Sequence, residues 1–428
     1  MRGIQPSFFS VPAIVFMVIY FIVAPLFNVV FDAYVDEAVF LGDPVASLAW
    51  LNLLNAGLLA IALIGVRLAP KRIRAKTEPL NVRMLMTLLT ILLTIAIPVG
   101  IFQIYIAGGG GDALATDGNR AGLLVFAFIE PAPLVFCWLV TTWYVSRGAK
   151  PSVPVALLIF AFQIALTLLL SASRGSRVAV LSQLLFAFQI YNTHIYRLKL
   201  REYIAAFVGV VLFVQTYAYF KYAGTEALLD YLSGRQSNEV AERYNSVVGF
   251  VIGDLGRADI QAPLVSRFAD GTMQPNWVGE TYLATLSLVI PREILGLEWV
   301  RGKSQIGAEA QLDPGGGAEF YVGVTQDEQG NFISSRIYAL LGETLINFGF
   351  WGLPFAFVLF GWVTRYSFLV GANVTTLRQV LLAPLVAVLP IFLLFYDTDN
   401  ILVQFVSVWL FPSIVFLIVT RFGRPVAA

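Results

Sequence analysis

The sequence has a single cysteine, Cys137, and a single histidine, His194. One thiol excludes an internal disulfide, and Cys137 lies inside an apolar run, so it says nothing of redox compartment. No Cys/His metal-ligand spacing, Gly-rich phosphate loop or nucleophilic-serine motif is present. Charge is also scarce. Asp, Glu, Lys and Arg make up 13% of the residues against 58% hydrophobic, where a soluble globular chain carries roughly 25% charge. The net charge of +1 gives no reason to expect a nucleic-acid partner. With a mean hydropathy of +0.77 and several apolar runs of about 20 residues, the composition is that of an all-α polytopic membrane protein.

Ten spans are predicted, at 8–31, 45–66, 84–106, 121–145, 153–172, 177–194, 202–220, 340–363, 379–396 and 401–420. The first run is too long for a signal-peptide core and reads as a retained span. The sixth is the most polar, carrying Ser182, Gln183 and Gln189. Loop charges divide the set. Segments such as Arg67–Arg83 and Arg197–Arg201 are basic, whereas "FDAYVDEAVFLGDP" (31–44) and "DTDN" (397–400) are purely acidic. Under the positive-inside bias both termini are cytoplasmic. Three regions follow: a seven-span bundle at 1–220, a large outer segment at 221–339 and a three-span bundle at 340–428. In the outer segment, "ETYLATLSLVIPREI" is too short to span and predicts an interfacial helix ending at Pro291.

The outer face gathers Arg174, Arg177, Arg257, Arg267, Arg292, Arg301, Lys303 and Arg336. Cations at headgroup depth suit a lipid phosphate, and guanidinium groups bind phosphate through paired charge-assisted hydrogen bonds. The bland alternative is snorkelling, or pairing with Asp254, Asp259, Asp270 and Glu293. Glu343, near the start of the eighth span, is an ionisable group at membrane depth and so a functional candidate. Glu130 is deeper and reads as a structural hydrogen-bonding group. His194 ends the sixth span beside a cytoplasmic loop, so outer-face chemistry proceeds without it.

Three elements carry a resemblance. "GETLINFGFWGLPFAFVLFGWV" (342–363) resembles the G-E-x-x-x-N-F-G-x-x-G signature of bacterial O-antigen and oligosaccharide repeat-unit polymerases of the Wzy type. "GETYLATLSLVIPREILG" (279–296) is similar to that family's I-P-R element, and "SASRGSRVAV" (172–181) to its S-R-G element. The resemblance implies a metal-independent, cofactor-free membrane glycosyltransferase of GT-C-like fold in a bacterial inner membrane. It would join undecaprenyl-diphosphate-linked oligosaccharides at the periplasmic face, with a chain-length-regulating co-polymerase of the Wzz type as a partner. Arg174, Arg292, Glu343 and Asn347 match the motif positions. Arg174, Arg257, Arg292 and Lys303 would neutralise the donor diphosphate, with Arg177, Arg267, Arg301 and Arg336 in the same surroundings. A carboxylate would orient or deprotonate the acceptor hydroxyl, Glu343 ahead of Asp259 and Glu280. The family's I-P-R is often followed by a tryptophan and then Lys-Pro. Here "REILGLEWVRGKSQ" offers Trp299, Arg301 and Lys303 without the proline, and either cation can take the lysine's place.

Three other readings compete. An O-antigen ligase depends on a histidine in its outer loop, and 221–339 contains none. A glycosyltransferase using polyprenyl-phosphate sugars would place its acid after the first span, at Asp32 or Asp36. A lipid-linked sugar flippase would spread polar groups through several mid-membrane helices.

Overall fold

The computed structural model describes residues 11–31, 43–72, 80–102, 127–171, 177–197, 255–311, 338–374 and 376–423. It also describes short pieces at 125, 199, 201–202, 208–209, 212, 233, 325–326 and 332–334. These form helices α1 (Val11–Phe31), α2 (Pro44–Leu68), α3 (Val82–Ile101), α4 (Ala127–Ser146), α5 (Val153–Ser171) and α6 (Arg177–His194). The stretch between α6 and the last three long helices contributes α7 (Ala258–Ala269), α8 (Glu280–Leu286), α9 (Arg292–Leu295) and α10 (Lys303–Gln311). A small antiparallel ribbon of β1 (Thr325–Gln326) and β2 (Phe332–Ser334) follows, with Thr325 opposite Ser334. The chain ends in α11 (Ala339–Ala372), α12 (Leu377–Phe395) and α13 (Thr398–Phe422).

Eight of these helices are long and apolar enough to cross a membrane, so the protein is an all-helical polytopic membrane protein apart from its short ribbon. They match eight of the ten predicted spans, all but the sixth and seventh. The seventh predicted span, 202–220, lies outside the described residues save for isolated positions. The sixth is a helix, but it is not among the eight, because its polar side chains bind neighbours inside the bundle. Gln183 Nε2 donates to the Glu130 carbonyl at 3.0 Å, and Gln404 Nε2 to Ser182 Oγ at 3.0 Å. Gln163, on α5, is similarly tied to Tyr191 Oη and to the Pro133 carbonyl. Such bonds hold helices together where lipid supplies no hydrophobic drive between them.

Local sequence sets the helix ends. Asp43 caps α2 through Val45 N–H with Pro44 at the first turn, and Thr376 with Gln379 forms a capping box on α12. The interfacial helix stops earlier than the sequence predicts. It ends at Leu286, where the Ser287 hydroxyl turns back to the Ala284 carbonyl at 2.6 Å, and Pro291 instead caps α9. The α8–α9 stretch still presents Leu286, Val289, Ile290 and Ile294 on its outer surface.

The spine of the fold is α11, 34 residues long, which packs on α2 and α12. At about 1.5 Å per residue it exceeds a hydrocarbon core of roughly 30 Å. A break at Gly349 (φ 58°, ψ −159°) divides it. The Ile346 carbonyl just before the break accepts the Asn276 N–H at 3.1 Å, so the kink leaves that group satisfied. Beyond the break α11 crosses α2 at backbone distance. A Cβ on Gly361 would lie 1.9 Å from the Ala62 carbonyl oxygen, and one on Gly65 1.9 Å from that of Val358. Small residues permit that approach.

Gly361→Ala should therefore lower the unfolding temperature in detergent by several degrees, from an overpacking cost of about 1–3 kcal/mol. Gly57→Ala on the same α2, with open space around its Cβ, should leave it unchanged. Equal melting of the two variants would show that α2 and α11 do not touch so closely.

Candidate functional site

Lys303 opens α10, and its side chain is turned inward with 13% exposure. Three carboxylates surround the ammonium: Asp399 at 2.6 Å, Asp397 at 3.0 Å and Glu343 at 3.4 Å. Asp397 and Asp399 flank the start of α13, while Glu343 projects from the first turns of α11. Residues far apart in sequence thus meet at one ammonium.

Each acid is further pinned. Glu343 Oε2 accepts both the N–H and the hydroxyl of Thr398, at 2.8 and 2.7 Å, and Oε1 accepts the Thr281 hydroxyl at 2.9 Å. Asn347, one turn on, closes a ring. Its amide donates to Thr281 Oγ1 at 2.6 Å and to the Glu343 carbonyl at 2.8 Å, and its Oδ1 accepts Thr281 N–H at 3.1 Å. The i, i+4 spacing of the acid and amide puts both on one face of α11, and Thr281 of α8 bridges them. Asp397 Oδ1 accepts the N–H groups of Tyr338 and Ala339, at 2.9 and 2.6 Å. Ala339 sits at φ 57°, strain of order 1–3 kcal/mol that the surroundings must hold. Asp397 does this from one side. Tyr338 does it from the other, through its hydroxyl to the Gly307 carbonyl at 2.7 Å and its carbonyl to Gln261 Nε2 at 2.9 Å.

The other cations expected at the site occupy separate places. Arg301 grips buried Glu280 through Nε at 3.0 Å and Nη2 at 2.7 Å, adds its own backbone N–H at 3.0 Å, and pairs with Glu309. Its partners are thus Glu280 and Glu309, where pairing with Asp254, Asp259, Asp270 or Glu293 was the expected alternative. Arg267 is buried and donates to the Ala310 carbonyl at 2.7 Å, at the negative end of α10. Arg257 caps α7 in the left-handed region, its Nε without a hydrogen-bond partner. Arg292 is half-buried at the start of α9 and donates to Ser287 Oγ at 3.2 Å. Beside it Ile290, Ile294 and Trp299 are exposed. Asp259 lies on α7 and Arg177 opens α6, their side chains outside the described set. Arg174, Arg336, Asp32 and Asp36 lie outside the described residues. Lys303, Glu343 and Asn347 are therefore brought together, and Arg257, Arg267, Arg292 and Arg301 are not part of that cluster.

Asp397 and Asp399 join the site without having been singled out, since "DTDN" served in the sequence only as an acidic outer turn. Thr281 was likewise part of an apolar stretch. Two acids two residues apart after a membrane span were the signal available for them.

The charges interact strongly. Burial would push the Lys303 ammonium down, but Asp397, Asp399 and Glu343 outweigh it and hold the group above its ordinary value. Burial pushes the Asp397 carboxyl up to about 7, opposed by Lys303 and reinforced by Glu343 and Asp399. Arg301 holds Glu280 below the usual range. The hollow bordered by Thr281, Lys303, Tyr338, Glu343 and Asp397 measures about 10 Å³, at the threshold for one water. With one ammonium against three carboxylates, this locus suits hydroxyl binding and proton exchange better than it suits a phosphate. Among the described residues no group of three or more His, Cys, Asp and Glu is arranged to hold a metal ion. No family model, no curated protein and no solved structure matches the chain.

An Asp397 carboxyl raised in the folded state contributes fully where both the native and the unfolded state hold its proton, and loses that contribution across the range in which only the native state keeps it. Its contribution is full below about pH 4 and is lost as pH rises toward 7. The unfolding temperature should fall across that window, and Asp397→Asn, which can still accept the two N–H groups, should flatten the decline. An unchanged slope in the variant would remove Asp397 as its source.

Proposed function

We propose that the protein is a polysaccharide polymerase that joins undecaprenyl-diphosphate-linked oligosaccharide repeat units at the periplasmic face of a bacterial inner membrane. The observation that carries this reading is the meeting of two resemblance elements. Glu343 and Asn347 of the G-E-x-x-x-N-F-G stretch bond directly to Thr281, which belongs to the segment ending in I-P-R. Gly349 of the same stretch adopts a conformation that favours glycine, with Pro275 packed where a Cβ would sit. This geometry supports the reading through Glu343, Asn347 and Gly349 of the first element and through the segment that carries the second.

The parts divide the task. Arg292, beside the exposed apolar surface of α8–α9, holds the donor diphosphate, together with Arg174 and Arg177. Positive charge there stabilises the departing diphosphate as its charge develops. The lipid tail stays in the bilayer. A groove of about 790 Å³ lined by Trp50, Leu53, Ile61, Val265, Phe350 and Pro354, between α2, α7 and α11, is of the size and apolarity that accept part of a prenyl chain. The Lys303 cluster receives the acceptor sugar. Between the two candidates for the lysine that follows I-P-R in the family, the contacts of Lys303 with Glu343 favour Lys303 over Arg301. A ten-span GT-C-like layout with both termini cytoplasmic is part of the same proposal, as is a chain-length-regulating partner.

A deletion strain should carry one repeat unit per lipid anchor on a polysaccharide gel. Arg292→Ala should express and insert at normal levels yet give the same single-repeat pattern. Full-length polymer in the deletion strain would refute the polymerase reading, and wild-type lengths in Arg292→Ala would take Arg292 out of the site.

A further inference from the structure

Resting on the polymerase reading, we infer that Asp399 is the catalytic base that takes the proton of the acceptor hydroxyl, with Glu343 and Lys303 as its positioning residues. The assignment follows from which carboxylate oxygens are already engaged. In Glu343, Oε1 meets Thr281 and Lys303 and Oε2 meets both donors of Thr398. In Asp397, Oδ1 holds two backbone N–H groups and Oδ2 faces Lys303. In Glu280, both oxygens are taken by Arg301, with Asn276 beyond. Asp399 differs. Its Oδ1 accepts Lys303 at 2.6 Å, Asn400 N–H at 2.7 Å and Asn400 Nδ2 at 3.1 Å. Among the described residues its Oδ2 receives no hydrogen bond.

Exposure points the same way. The side chains of Glu343 and Asp397 are each 4% exposed, whereas that of Asp399 is 28% exposed. A base must come within hydrogen-bond reach of the proton it removes, and a sugar hydroxyl can approach Oδ2 of Asp399 without displacing any described bond. Lys303 fixes the other oxygen, so the carboxylate presents a single orientation. Glu343 and Asp397 in turn fix the ammonium. Their negative charge around Lys303 keeps its proton in place, so the ammonium does not compete as an acid.

The step balances as follows. The acceptor O–H proton passes to Asp399 Oδ2 while the acceptor oxygen forms a bond to the donor anomeric carbon. The bond from that carbon to the diphosphate oxygen breaks, and its electron pair leaves with the lipid diphosphate. Asp399 then returns the proton to water. No oxidant, reductant or further reactant is needed.

The test uses purified full-length protein and the lipid-linked oligosaccharide extracted from the deletion strain, with product length read by mass spectrometry. Asp399→Asn should elute and melt like the wild type. Its kcat should fall by about 100-fold or more, the usual weight of a general base, with KM within a few-fold. Its residual rate should climb about tenfold per pH unit as hydroxide takes over, where the wild type levels off. Asp399→Glu, which restores a carboxylate, should recover measurable turnover with a displaced pH profile. Should Asp399→Asn fail to fold, the Glu variant decides, and a pH profile identical to wild type overturns the assignment. A kcat within about threefold of wild type in Asp399→Asn also overturns it, while leaving the polymerase reading intact. A wild type that elongates nothing overturns both.

Discussion

A single ammonium ties the short helices before α11 to the long apolar helices. Lys303 draws Glu343 from α11 and both Asp397 and Asp399 from the start of α13, and those acids gather Thr281, Thr398, Tyr338 and Ala339 in turn. Burying charge is costly unless it is paired and hydrogen-bonded, so this arrangement persists only because nearly every oxygen has a donor. Removing the ammonium would leave three carboxylates around its place without their shared counter-charge. Removing one acid is milder, since two counter-charges would remain. This asymmetry makes Lys303 the member that the others depend on.

Backbone irregularities lie around the same point. Ala339 enters α11 in a left-handed conformation, and Gly349 breaks the helix ten residues later. Between them lies a short, well-buried stretch carrying Glu343 and Asn347, aimed at α8 and separated by the break from the long part that packs on α2. The strain at one end and the glycine at the other set the direction of this stretch independently of the spanning part. In the proposed function this is the division a lipid-linked substrate requires. Under that proposal one end of the helix would handle sugars and protons, while the other runs along the apolar groove at Phe350 and Pro354.

Much of the fold was legible in the sequence because hydropathy and helix caps are local signals. The span edges at 45–66 and 379–396 fall within a few residues of Pro44–Leu68 and Leu377–Phe395. Asp43 with Pro44 and Thr376 with Gln379 cap the two helices at those edges. The polar character of α6 was visible, but whether it faced lipid or partners was not, since that depends on Glu130, Gln163 and Gln404 from other helices. The site was half legible. Glu343 and Asn347 stood out as polar groups in an apolar run, and Lys303 as one cation among eight. Nothing local distinguished Lys303 from Arg301, whose long side chain finds Glu280 and Glu309 instead. Asp397 and Asp399 were hidden because an acidic pair in a short turn between spans is what a solvated loop also looks like. Tertiary proximity alone separates the two.

The central claim is that lipid-linked sugars react beside Lys303. Its most direct test is a photo-reactive amino acid at Gly302, where a side chain would meet open space, compared with one at exposed Trp143 on the far end of α4. Illumination in cells should give a covalent adduct with the mass of the lipid-linked oligosaccharide at position 302 and none at 143. Adducts at 143 with none at 302 would contradict the account.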